Sequence, residues 1–172
     1  MKKDLQSLFA AKVKDFRLPR YRELPTVGLY LEQVVKYING YLEPIGCPGI
    51  TTSMVSNYVK KDVISAPQKK LYYQEQIAYL IFVSIGKNVI SMESIIQLFK
   101  MQKETYDAET AYNYFCLELE NMLGAISGTN NELKEIGVTS SQEKAMLRSV
   151  TIAVSHIIFV NNCFNEIKSE TK

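Results

Sequence analysis

A mainly helical, all-α fold is what this 172-residue sequence predicts. Only five prolines and eight glycines interrupt it, too few for a chain of many short strands and turns. Apolar residues recur at three- and four-residue spacing in one segment after another, the period of a helix with one buried face. Near residue 50 a short capped segment follows a helix and a turn, the arrangement of a helix-turn-helix.

The bulk properties bound the function. A hydrophobic content of 47% suffices for one buried core. No run reaches the eighteen or so apolar residues of a membrane span; the best, Ile77 to Ile85, is about half that and reads as a core helix. Met1, Lys2 and Lys3 are followed by Asp4, Gln6 and Ser7 where a signal peptide needs an apolar stretch, so a cytoplasmic chain with no membrane partner is expected. Cys47, Cys116 and Cys163 are odd in number and widely spaced, which fits reduced thiols. The net charge of +2 is unevenly shared: residues 1–75 hold 12 basic and 7 acidic side chains, residues 76–172 hold 8 and 11. A basic front and an acidic back suit a polyanion-binding half joined to a self-associating or regulatory half.

Taken in order, residues 1–27 are an arm and strap. Leu5, Leu8, Phe9 and Val13 give the arm an amphipathic helix, and Pro19 and Pro25 force the basic strap from Phe16 onward to be extended. A first domain then spans residues 28–101. Its first helix runs from Gly28 to about Leu42, with Leu31, Val34, Val35, Ile38 and Leu42 on one face, and ends in the turn-rich Glu43–Gly49. Thr51, Thr52 and Ser53 offer hydroxyl caps for a short helix to about Lys61, in which Met54, Val55, Tyr58 and Val59 face inward. Ser65 to Lys70 is a loop or small hairpin. Helices follow over Tyr73–Ile85 and, capped by Ser91, Met92–Met101, with Ile95, Ile96 and Phe99 inward. The extension, residues 107–172, holds two long helices. Asp107 caps the first, whose stripe is Ala108, Ala111, Phe115, Leu119, Met122 and Ile126; a capping box from Ser140 to Glu143 starts the last, with Met146, Val150, Ala153, Val154 and Ile157 as its stripe. Stripes this wide predict packing on the first domain and against a second copy, hence a homodimer.

The chemistry sits in the short helix. With Val55 and Tyr58 inward, Thr52, Ser53, Ser56 and Asn57 can approach base edges in a major groove, an Asn pairing two hydrogen bonds with adenine. Lys60 and Lys61 near its C-terminus suit phosphates. Lys69, Lys70 and Tyr72 stand on the loop that would form a wing beside the groove.

Ser56-Asn57-Tyr58-Val59-Lys60-Lys61-Asp62-Val63-Ile64, then Pro67 and Lys69-Lys70-Leu71-Tyr72-Tyr73, then Gln76 to Phe82 and Ile90 to Ile96, resemble the DNA-binding domain of mercury-resistance-regulator (MerR) type transcription factors. The resemblance covers roughly residues 28–100 and implies a recognition helix, a small wing, two supporting helices and double-stranded DNA as partner. Those regulators usually carry an arginine and a tyrosine where this chain has Ser56 and Asn57, which removes one strong contact. The whole chain, through Leu18-Pro19-Arg20-Tyr21, Leu29 to Val35 and Tyr114 to Glu120, is also similar to a bacterial family known as a domain of unknown function, DUF1836, which implies no activity.

Other groups read as structural. His156 is the sole histidine, and with Cys163 it supplies two ligands where a closed metal site needs four. Glu118 and Glu120 point apart on a helix and read as a solvated or interface face; Asp107 and Glu109 suit a helix N-terminus. No phosphate loop, dinucleotide fingerprint or nucleophile motif is present, so neither an enzyme nor a cofactor is expected. An unidentified small-molecule effector could be held by Tyr112, Phe115 and Phe159. The expectation is therefore a DNA-binding transcriptional regulator, and its rival is a non-enzymatic protein-interaction or structural module of the same fold.

Overall fold

Helices carry the chain, as the apolar spacing requires. The computed structural model describes residues 4–130 and 141–170. Among these, the α-helices are α1 (Leu5–Val13), α2 (Leu31–Leu42), α3 (Thr52–Lys60), α4 (Gln74–Gly86), α5 (Met92–Thr105), α6 (Ala108–Ser127) and α7 (Gln142–Glu170). Two short strands, β1 (Leu29–Tyr30) and β2 (Leu71–Tyr72), pair antiparallel with Leu29 opposite Tyr72. The segment from Gly28, expected to begin a helix, thus starts as β1.

The caps fall where the side-chain chemistry puts them. Asp4, Thr51, Ser91 and Asp107 each accept a hydrogen bond from a backbone N–H in the first turn that follows, satisfying a donor that the helix itself leaves free. Ser140, expected to open the last capping box, lies outside the described residues. Ser141 Oγ accepts instead from Lys144 N at 3.2 Å.

One core joins front and back. It runs from Phe9 and Leu18 through Val34, Ile38, Val55 and Ile77 to Phe115, Val154 and Ile158. Helix α4 is its axis, with ten successive or near-successive residues buried and both α6 and α7 against it. Helix α1 lies across α6 and α7, its Phe9 ring edge-on to Phe159 at 5.2 Å. Cys47 and Cys116 are buried, and burial pushes their thiols up to about 11 and about 12, so both stay protonated near neutral pH.

The strap is extended and basic as expected, but its charges turn inward. Arg20 makes a two-pronged pair with Glu120 at 2.8 and 2.6 Å, and Glu120 also accepts from Leu18 N. Arg17 pairs with Glu23 and Arg22 with Glu109. Tyr112 OH donates to Pro19 O, and Asn113 and Gln74 hold the backbone of Tyr21 and Leu24.

Three inward faces differ from expectation. In α5, Leu98 joins Ile95 and Phe99 in the core while Ile96 is 37% exposed. Glu118 and Glu120 do not form a solvated face: Glu118 is 1% exposed and accepts from Tyr114 OH, and Glu120 holds Arg20. The largest departure is α7, whose buried face is Thr151, Val154, Ser155, Ile158 and Asn162. Its small hydroxyls donate to their own helix, Thr151 to Leu147 O and Ser155 to Thr151 O, so they enter the core satisfied and let α6 approach closely. Asn162 reaches across to Ile45 O, and its side chain lies within 2.9 Å of where a Cβ on Gly46 would stand, while Gly46 itself has φ +68. Of the expected α7 stripe only Val154 is buried; Met146 and Ile157 are 45% and 40% exposed, and Ala153 and His156 are exposed too.

Candidate nucleic-acid interface

Helix α3 is held in place by a side chain that the apolar pattern gives no reason to notice. Asn39, on α2, donates from Nδ2 to Ile50 O at 2.9 Å and accepts at Oδ1 from Ile50 N at 2.8 Å. This pair of bonds mimics one rung of a strand and fixes the turn between α2 and α3. It also needs a glycine beside it, since a Cβ on Gly49 would come within 2.7 Å of Asn39 Oδ1. Lys87 Nζ closes the same corner, donating to Gly49 O at 3.3 Å and lying 3.5 Å from Met54 Sδ. Burial holds that amine below its ordinary value.

From this anchor α3 presents one face outward. Val55 and Tyr58 are buried; Ser53, Ser56, Asn57 and Lys60 are exposed at the i, i+3, i+4, i+7 spacing of a single stripe. Thr52 is half-buried, Lys61 is exposed, and Met54, expected inward, is 39% exposed beneath Lys87. The helix ends in a Schellman motif. Val63 N bonds Tyr58 O and Asp62 N bonds Val59 O, with Asp62 left-handed at φ 56.

Lys69 and Lys70 form the tip of a tight hairpin. Gln68 and Leu71 exchange both backbone hydrogen bonds, at 3.0 and 2.9 Å, and the two lysines between them have φ 49 and 68. Two central residues with positive φ make this a type I′ turn, the tight connection that matches strand twist. Gln76 pins the base of the loop, donating to Ser65 O and Ala66 O while its Oε1 accepts from Tyr73 N. Tyr72, expected on the wing surface, is 4% exposed: as the inward residue of β2 it belongs to the core and is removed from this surface.

The basic side chains of the front thus divide. Arg17, Arg20, Arg22 and Lys12 are all paired with acids. Lys60, Lys61, Lys69 and Lys70 are exposed, and among the described residues none of the four enters an ion pair. Two acids share the neighbourhood in sequence, Asp62 and Glu75, both exposed. Among the described residues no group of three His, Cys, Asp or Glu side chains is arranged to hold a metal ion.

The family model described as a domain of unknown function, DUF1836, matches residues 19–115, more than half of the chain, and the chain belongs to that family. The matched span runs from the strap through α5 to Phe115 and leaves α1 and α7 outside it. No curated protein and no solved structure matches the chain.

Proposed function

We propose that this member of the DUF1836 family is a DNA-binding transcriptional regulator of the winged helix-turn-helix kind, with α3 as recognition helix and the Lys69–Lys70 hairpin as wing. One observation carries the reading. The only basic side chains gathered on α3 and the hairpin tip are exposed and unpaired among the described residues, whereas those of the strap are held by acids. In this reading Ser53, Ser56 and Asn57 meet base edges, and Thr52 supports them from its half-buried position. Lys60, Lys61, Lys69 and Lys70 hold phosphates. Short side chains on α3 allow a close approach to the groove, and the absence of an arginine leaves discrimination modest.

The test is duplex binding over a range of salt. Lys60→Ala with Lys61→Ala should weaken binding to all duplexes alike and lower the slope of log affinity against log salt by about 2, close to 0.9 per phosphate released. Unchanged affinity and slope would remove the DNA reading.

A protein-interaction module is the second reading, and Ser56 and Asn57 in place of stronger contacts favour it, together with the exposed Met54 and Asp62. Selection from a random duplex pool separates the two. An enriched two-fold sequence supports the regulator; no enrichment supports the module.

The reading includes a homodimer, with a second copy covering the outer face of α7. Met146, Val150, Ala153, Ile157, Val160, Phe164 and Ile167 follow alternating four- and three-residue steps, the 3.5-residue repeat by which one helix seats another. Five of them are 40–57% exposed. With side chains of roughly 150–250 Å², these leave about 400 Å² of apolar surface on one copy. That is more than a lone protein ordinarily leaves open, and doubled across a two-fold axis it approaches the roughly 1,000 Å² of a specific interface. The same helix is long and apolar enough to cross a membrane by length and composition, with a window of mean hydropathy 1.3. Its inner face, however, carries Thr151, Ser155 and Asn162 against the core, and the heptad spacing of the outer face selects a helix rather than lipid. A cytoplasmic location accompanies this proposal.

A further inference from the structure

A cavity of about 200 Å³ lies between α4, α5, α6 and the first turns of α7. Tyr79, Phe82, Phe99, Tyr112, Tyr114 and Phe115 wall it. Phe159, expected beside Tyr112 and Phe115, is instead stacked on Phe9 and is no part of it. The rings brace one another edge to face: Phe82 against Phe99 at 5.5 Å and Phe115 at 5.0 Å, and Tyr79 against Phe99 at 4.5 Å. Such mutual packing holds the walls apart instead of letting them close on the space. Three further wall positions are alanines, Ala78, Ala108 and Ala111, where larger apolar residues would have filled the gap.

We infer that this cavity is a binding site for a small, neutral, one- or two-ring aromatic molecule, a site that goes beyond the DNA reading and does not depend on it. Size and charge both select that class. An apolar cavity of about 150 Å³ accepts benzene, so this one has room for a second ring. Two ammonium groups already lie over the ring faces, Lys103 Nζ 5.1 Å from the centre of Tyr79 and Lys144 Nζ 5.0 Å from that of Tyr114. A cationic guest between the same rings would meet them. Glu143 shares the lining with Lys144, so an anion gains no clear positive field.

Polar groups at the walls are few and already oriented. Gln102 accepts from Tyr79 OH at 2.8 Å and donates to Tyr106 O at 2.6 Å, which leaves one amide N–H and an oxygen lone pair for a guest. Tyr114 OH donates to Glu118, and the second carboxylate oxygen of Glu118 is buried with no donor. The hydrogen-bonding demand around the cavity is therefore for one weak donor, as on a phenol or an indole.

Indole is the probe, with tryptamine and indole-3-acetate as its cationic and anionic comparators, added to the full chain without DNA. Indole should saturate in calorimetric titration and raise the thermal midpoint by about 2–4 °C near ten times its Kd. Both charged comparators should bind at least tenfold more weakly. Ala108→Leu and Ala111→Leu, made separately, should each keep the fold, melt at the same or a higher temperature, and lose indole binding. No saturable indole binding, equal binding by either charged analogue, or unaltered binding in both folded leucine variants would each overturn the site. DNA binding is measured separately by the lysine variants, so failure of one reading leaves the other standing.

Discussion

Lys69 and Lys70 occupy backbone conformations that lysine rarely adopts, at φ 49 and 68. A type I′ turn calls for Asn-Gly at these two places, because left-handed geometry costs a residue with a β-carbon on the order of 1 kcal/mol. Two lysines here are a local conflict, and such conflicts are kept where the side chains serve something else. Replacing them by Asn-Gly should stabilise the chain by about 1–2 kcal/mol in urea unfolding and at the same time weaken duplex binding. Opposite signs for stability and affinity are the outcome expected of wing lysines. A gain in stability with unchanged affinity would make them ordinary turn residues. Asn39 shows the reverse case, a residue whose conformation is ordinary and whose two bonds to Ile50 decide where α3 stands.

Among the elements, α7 has the most unusual construction. Its 29 residues, about 43 Å of helix, carry two apolar-compatible faces, one against α6 and one open. Glutamate at Ile157 or Phe164, on the open face, should leave the melting curve nearly unchanged and convert a dimer to a monomer in sedimentation velocity. The same substitution at Val154, which is fully buried, should unfold the chain. Equal sedimentation of wild type and the two outer variants would sink the dimer assignment, as would wild type that floats with neutral lipid vesicles instead of self-associating.

At the scale of the whole molecule, the strap ties front to back. Arg20 and Glu120 have side chains only 21% and 18% exposed and bond at both prongs, so removing one leaves the other partly buried and unpaired. Arg20→Ala should cost about 2 kcal/mol, reduced from the figure for fully buried pairs by the remaining contact with water. Glu120→Ala should cost a similar amount, and the double variant less than the two together, which a double-mutant cycle reads directly. The salt slope of duplex binding should not move in Arg20→Ala. A fall in that slope would show that the arginine meets phosphate and not Glu120.

Much of this architecture was legible from spacing and caps. Thr51, Ser91 and Asp107 announce helix starts because a short side-chain acceptor satisfies a local N–H whatever the rest of the chain does. The outward set Ser53, Ser56, Asn57 and Lys60 follows from the period of a helix with Val55 and Tyr58 inward. What could not be read locally is which of two faces meets the core. On α7 the more hydrophobic stripe is the open one, because close helix packing and self-satisfied hydroxyls favour Thr151 and Ser155 inside. Tyr72 looked like a wing residue and lies in the core because strand alternation from Leu71 turns it inward. The strap looked like a phosphate-binding segment, yet Glu109 and Glu120 neutralise two of its arginines from about ninety to one hundred residues away. The cavity, too, exists only where α4, α5, α6 and α7 meet. The sequence by itself determined the helices, their caps and the exposed basic stripe, since those depend on neighbours within a turn or two. Tertiary structure alone decided which charges are cancelled, which apolar face is left over and where the space lies, since each of these is a relation between distant segments.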